Sequence, residues 1–236
     1  MTVTRSLYHG GIAPTGLVGH WTLDDNAASS TVVCSDPTHN GTLMTSAHAS
    51  INTNGQDTTG KIAGGLLFDG DGDIVDCGTA AALRPANLSV SCWFKCDTAA
   101  SLHHLFALGP RWFVTVYQSG VDYIAIYRNT LNFRYFSAAN AKDGNWHHAV
   151  ITVTGIDTQT SLSTSRCWMD GVERYETSID QTDVVYATDR FSIADSYTSG
   201  NFYSFSGSLD SVSLYNTTFK NPHALWLYNH GAGRTP

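Results

Sequence analysis

The chain contains two glutamates, Glu173 and Glu176, three residues apart. Hydrolysis of a glycosidic bond usually needs two carboxyl groups about 5–10 Å apart, one acting as acid and the other as nucleophile or base. An odd offset along a strand puts two side chains on opposite faces, so this pair is not expected to act together. The aspartates are more numerous, but most sit beside Gly, Ser or Thr in turn-like surroundings. No Gly-x-Ser-x-Gly elbow and no His-Glu-x-x-His pair is present. Adjacent strand residues also face opposite ways, so His103-His104 and His147-His148 are expected to be structural rather than to share one metal or proton. The chain is therefore expected not to be an enzyme.

Two further sets have the residue types of metal sites. Asp69-Gly70-Asp71-Gly72-Asp73 begins like a calcium loop, but the sixth position is Ile74 instead of Gly and the twelfth is Ala80 instead of Glu. A tight turn that exploits the conformational freedom of Gly and Asp is the expectation there. Five cysteines, Cys34, Cys77, Cys92, Cys96 and Cys167, lack zinc-like spacing and are odd in number, which predicts reduced, buried thiols.

Binding demands less of a sequence than catalysis. A sugar site needs an aromatic surface and a few fixed hydrogen-bonding groups. The segment from Arg111 to Tyr135 carries Trp112, Tyr117, Tyr123, Tyr127 and Tyr135, interleaved with Arg128, Asn129, Asn132 and Arg134. A second aromatic-polar stretch holds Tyr197, Asn201, Phe202 and Tyr203. The candidate ligand-binding residues are Trp112, Tyr123, Tyr127, Arg128, Asn129, Tyr197 and Tyr203. Packing in the core or at subunit contacts is the competing use of such rings.

The elements that must position these residues are strands. Short apolar runs bounded by Gly, Asn, Asp or Ser recur along the chain, among them Leu88–Lys95, Trp112–Tyr117, Tyr123–Arg128, Asn132–Phe136, Arg166–Met169 and Ser206–Tyr215. In Leu88, Val90, Cys92 and Phe94 every second residue is apolar, the mark of a strand with one face on a core. Asp170-Gly171 between two such runs signals a tight hairpin. The only helical stretch expected starts at Asn221-Pro222 and runs through His223 to Tyr228. Many strands without interleaved helices predict an all-β, two-sheet antiparallel sandwich with a short C-terminal helix. The expected organisation is an extended N-terminal arm over residues 1–15, one sandwich over 16–231 and a tail over 232–236.

Composition narrows the partners. The chain has 236 residues, enough for one large β domain. Charged residues make up only 14% and the net charge is −7. Without a basic stripe, nucleic acid is not expected as a partner. No apolar stretch reaches membrane-spanning length, so membrane insertion is not expected either. Met1–Pro14 has no apolar core behind Arg5 and does not read as a signal peptide.

The motifs also fall in a recognisable order: Gly19-His20-Trp21-Thr22-Leu23-Asp24-Asp25, Gly41-Thr42-Leu43, Gly60 to Gly70, Leu88 to Lys95, Asn145 to Val150, Trp168 to Val172, and Gly207 to Asn216. In this order the chain resembles the laminin-G-like branch of the concanavalin A-like lectin and glucanase superfamily, from about Gly16 to Gly231. The resemblance implies a jelly roll of some dozen strands. It also implies a structural calcium held by Asp24, Asp25, Asn40 and Asp210. The Glu-Asp-Glu strand of the related glucanases is missing. Kinship of fold fixes no single function. The expected role is a non-catalytic binding or display domain, a carbohydrate-binding or adhesion module facing a glycan or polysaccharide surface. The alternative is a structural virion protein, a phage decoration or tail component docked on neighbouring coat subunits, for which a homo-oligomer is natural. Either role places the chain outside the cell or on a virion surface.

Overall fold

A computed structural model describes residues 11–96, 102–109, 112–128, 132–156, 164–180, 190–195 and 204–236. Among these, seventeen strands form two sheets in which every pairing is antiparallel. The first sheet runs in the order β14 (Val172–Glu173), β13 (Arg166–Met169), β12 (His147–Val153), β7 (Leu88–Lys95), β17 (Ser206–Tyr215), β5 (Gly64–Asp69) and β4 (Asp57–Thr59). Its eighth strand, β1 (Leu17–Trp21), pairs with the last residues of β17. The second sheet runs β15 (Glu176–Asp180), β11 (Asn132–Ser137), β10 (Val121–Arg128), β9 (Trp112–Ser119), β8 (Leu102–Leu108), β16 (Phe191–Ile193), β6 (Ile74–Asp76), β3 (Gly41–Met44) and β2 (Thr31–Val32). The two-sheet sandwich expected from the strand pattern is thus the architecture observed.

Alternation decides what fills the space between the sheets. Leu88, Val90, Cys92 and Phe94 of β7, Val114 and Val116 of β9, and Ile124 and Ile126 of β10 all belong to one buried cluster. Burying such side chains is worth roughly 1.5–3 kcal/mol each relative to exposure. All five cysteines are buried as free thiols. The turn after β5 is the one the Gly-Asp run predicts, with Gly70 and Gly72 at φ +86° and +89° and the Asp69 carboxylate accepting the Asp71 N–H at 2.8 Å. The hairpin at Asp170-Gly171 is likewise present, with φ of 55° and 73° at its two corners.

Part of the outer face of the first sheet is covered too. A helix, α1 (Asn221–Tyr228), lays Ala224 and Leu227 against Val150, Trp168 and Tyr215 in a second apolar cluster. Its last residue, Tyr228, stacks on Trp93 at 5.8 Å. Consequently Ser89, Ser91 and Trp93, which alternation would leave facing solvent, are buried. The N-terminal residues that are described are tied down rather than free: the Ile12 N–H donates to the Pro222 carbonyl at 3.0 Å and the Thr217 hydroxyl to the Thr15 carbonyl at 2.9 Å. Among the described residues no helix is long and apolar enough to cross a membrane.

Candidate functional site

The outer face of the second sheet carries a pattern of its own. Its β9, β10 and β11 form a meander in which Phe113 lies opposite Tyr127, Thr115 opposite Ala125, and Tyr117 opposite Tyr123. On the next strand Phe133 lies opposite Tyr127 and Tyr135 opposite Ala125. All of these share the parity that points away from the core, and six of the eight are aromatic. Cross-strand neighbours on one face sit about 4.5–5.5 Å apart, close enough for rings to pack.

The rings do pack, with Tyr135 as the hub. It lies 5.3 Å from Tyr117, 5.4 Å from Tyr123, 6.0 Å from Tyr127 and 4.5 Å from Phe133. Phe113 continues the row, 5.3 Å from Tyr127. The small side chains of Thr115 and Ala125 form a fully buried floor, and the five rings of Tyr117, Tyr123, Tyr127, Phe133 and Tyr135 keep part of their surface in solvent. The Tyr127 and Tyr135 hydroxyls share a hydrogen bond of 2.8 Å. Burial pushes the Tyr135 phenol up, the bond to Tyr127 pulls it down, and the phenols of Tyr117 and Tyr123 push it up again. The patch is a surface of phenol hydroxyls and ring carbon, suited to a ligand with C–H faces and hydroxyls.

The candidate binding residues separate on this geometry. Tyr123 and Tyr127 lie in the patch. Trp112 does not: it is 1% exposed and packs against Phe106 inside the sandwich, where no ligand can stack on it. Its even position in β9 puts it on the opposite face from Phe113. Arg128 closes β10 opposite Trp112, and its side chain lies outside the described set. Asn129, Tyr197 and Tyr203 lie outside the described residues. Phe113 and Phe133 complete the patch. The signal that would have found them is parity: every ring of the patch stands at an odd position, 113, 117, 123, 127, 133 or 135.

The residues implied for calcium also separate. Asp210, on the outer side of β17, accepts the Lys61 and Ile62 N–H groups through Oδ2 at 2.7 and 2.6 Å, while its Oδ1 is buried without a partner. Burial pushes this carboxyl up to about 7, against the pull of the two N–H groups and with the added push of nearby Asp24. Asp25 instead accepts the Val33 N–H at 3.1 Å, and the Asn40 side-chain oxygen accepts the Cys34 N–H at 2.8 Å. Calcium takes six to eight oxygens. Asp24 and Asp210 lie near each other while Asp25 and Asn40 bond backbone N–H groups elsewhere, and among the described residues no group of three or more His, Cys, Asp or Glu is placed to hold a metal ion. These four side chains do not by themselves supply a calcium cage.

The histidine pairs face opposite ways, as their adjacency requires. His147 bridges Asp143 and Asp170 at 3.1 and 2.9 Å on the rim, while His148 is buried beside Trp93. His104 meets Asp195 at 3.2 Å, and His103 accepts the Ser206 N–H. Both glutamates are ion-paired, Glu173 to Arg166 and Glu176 to Arg134, each at 2.6 Å.

A family model, Laminin_G_3, described as Concanavalin A-like lectin/glucanases superfamily, matches residues 69–223. Among solved structures, Domain 4 of AbnA, a GH43 extracellular arabinanase from Geobacillus stearothermophilus solved in complex with arabinotriose, superposes with a TM-score of 0.62 at 14% identity, covering 93% of this chain and 98% of that one. Trypanosoma rangeli sialidase in complex with sialic acid gives 0.60 at 14% identity over 95% of this chain and 35% of the sialidase. The botulinum neurotoxin type G receptor binding domain gives 0.59 at 9% identity over 91% of this chain and 51% of that one. The chain thus spans the whole of the first and only part of the other two. At these identities the likeness is one of fold. No curated protein matches the chain by sequence.

Proposed function

We propose, from the premise that this chain belongs to the Concanavalin A-like lectin/glucanases superfamily, that it is a glycan-binding module which works without catalysis. The observation that carries this reading is the aromatic patch on β9–β11, five partly exposed rings with Tyr135 at their hub. Ring carbon meets the C–H face of a sugar, and the Tyr117 and Tyr123 phenols can bond its hydroxyls. Pairing of Glu173 and Glu176 to separate arginines supports a role without hydrolysis. The whole-length likeness to a domain solved with arabinotriose makes arabino-oligosaccharides the first ligands to try.

The test is a glycan array followed by affinity electrophoresis in soluble polysaccharide. Retardation by at least one polysaccharide is expected, and Tyr123→Ala is expected to weaken it about fivefold, because one aromatic contact is worth roughly 1 kcal/mol. Specific retardation that Tyr123→Ala and Tyr135→Ala both leave intact would move the site elsewhere. Release of reducing sugar by pure protein would overturn the non-catalytic reading.

A further inference from the structure

A cleft of about 530 Å³ opens on the first sheet, lined by Thr58, Leu67, Asp69, Lys95, Ser206 and Ser208, with glycine backbone at Gly144 and Gly207. Its size falls within the usual range of small-molecule sites, about 300–1,000 Å³. Register explains why these side chains meet. Ser208 lies opposite Lys95 on one side and Leu67 on the other, so the three share the outer face of the sheet, while Leu209, Phe94 and Leu66 beside them fill the core. Gly207, at the edge of the cleft, lets β17 approach β7 closely. Its φ is +134°, and a Cβ there would lie 2.1 Å from the Lys95 carbonyl oxygen.

The lining is polar in a particular way. Among the described residues, the Lys95 ammonium and the hydroxyls of Thr58, Ser206 and Ser208 have no intramolecular hydrogen bond or ion pair. Asp69 has one oxygen engaged by the Asp71 N–H. Leu67, 45% exposed, supplies an apolar wall. Donor-only, acceptor-only and two-way groups therefore surround one apolar side chain, and the opposite charges of Lys95 and Asp69 favour a neutral ligand over an anion. A pyranose or furanose fits that chemistry, because each of its hydroxyls both donates and accepts while its C–H face is apolar.

We propose that this cleft is a second, monosaccharide-sized sugar subsite, so that one chain carries glycan on both of its sheets. The cleft stands on its own geometry; the divalency rests on the reading of the aromatic patch given above. The probes are the methyl glycosides of glucose, galactose, mannose and arabinose, followed by amide NMR shifts of the full chain. At least one glycoside is expected to shift the Gly144, Gly207 and Ser208 amides. Ser208→Phe, which fills the cleft, and Lys95→Ala, an exposed change that spares the fold, are each expected to lose those shifts, whereas Tyr123→Ala keeps them. The proposal is overturned if no glycoside moves these amides, if the shifts survive Lys95→Ala, or if they vanish with Tyr123→Ala. Shifts confined to Tyr117, Tyr123 and Tyr135 sink the cleft alone, and shifts confined to the cleft sink the aromatic patch alone.

Discussion

His148 is buried between Trp93 and Tyr228, ring centroids 4.9 and 6.2 Å away. Burial pulls its pKa from the usual 6.5 down to about 3, despite Asp170 nearby. His20 is pulled down to about 4 for the same reason. The unfolded chain protonates both near pH 6.5, so between that value and pH 3–4 it binds more protons than the folded chain. Stability must then fall as pH falls through that window. Asp210 works in the opposite sense. Its folded value of about 7 lies above the unfolded 3.8, so its contribution is complete below pH 3.8 and is lost as pH rises to 7. His148→Phe is expected to flatten the acid-side decline in melting temperature. Asp210→Asn, which keeps the acceptor for Lys61 and Ile62, is expected to raise the melting temperature at pH 8 while leaving it nearly unchanged at pH 4. A chelator is expected to shift neither. At this scale the sequence was legible in residue type and less so in orientation: Tyr123 and Tyr127 could be picked out as rings, but Trp112 could be separated from them only by counting parity. The fate of Asp210 depended on a loop some 150 residues away along the chain.

Elements were legible where one face met the core. The spans Leu88–Lys95, Arg166–Met169 and Ser206–Tyr215 read directly from the sequence are those of β7, β13 and β17. Strand β8 was not marked, because Leu102–Leu108 is buried on both sides and shows no alternation. In β17 the pattern breaks at a register shift between Asp210 and Ser213, with Ser211 at φ 53°; a bulge moves apolar residues out of period two. Nor does local sequence say that α1 will cover the outer face of β7, since a serine under a helix looks like a serine in water. The tightest element contacts give a clear prediction. Gly207→Ala is expected to destabilise the fold by roughly 3 kcal/mol in denaturant unfolding, since it combines a positive φ with a backbone clash against Lys95. The same change at Gly120, with φ 78° and open space around it, is expected to cost only about 1 kcal/mol.

For the whole molecule, stability comes from burial across two sheets and a helix. The five thiols are expected to react with a thiol reagent only after denaturant is added, and reductant is expected to leave the melting temperature unchanged. Burial pushes Cys92 and Cys167 far above the usual thiol range, which removes the thiolate that such chemistry needs.

The first described residue and the C-terminal tail both meet Trp226. Gly11 packs so closely on α1 that a Cβ would lie 2.4 Å from the Trp226 nitrogen, and the Arg234 guanidinium sits 5.1 Å above the Trp226 ring. A fold whose two outer segments meet at one helix behaves like a bead on a keyring: linked from Gly11 to Arg234 by a short spacer and cut open at the Gly120 turn, it should regain the same architecture.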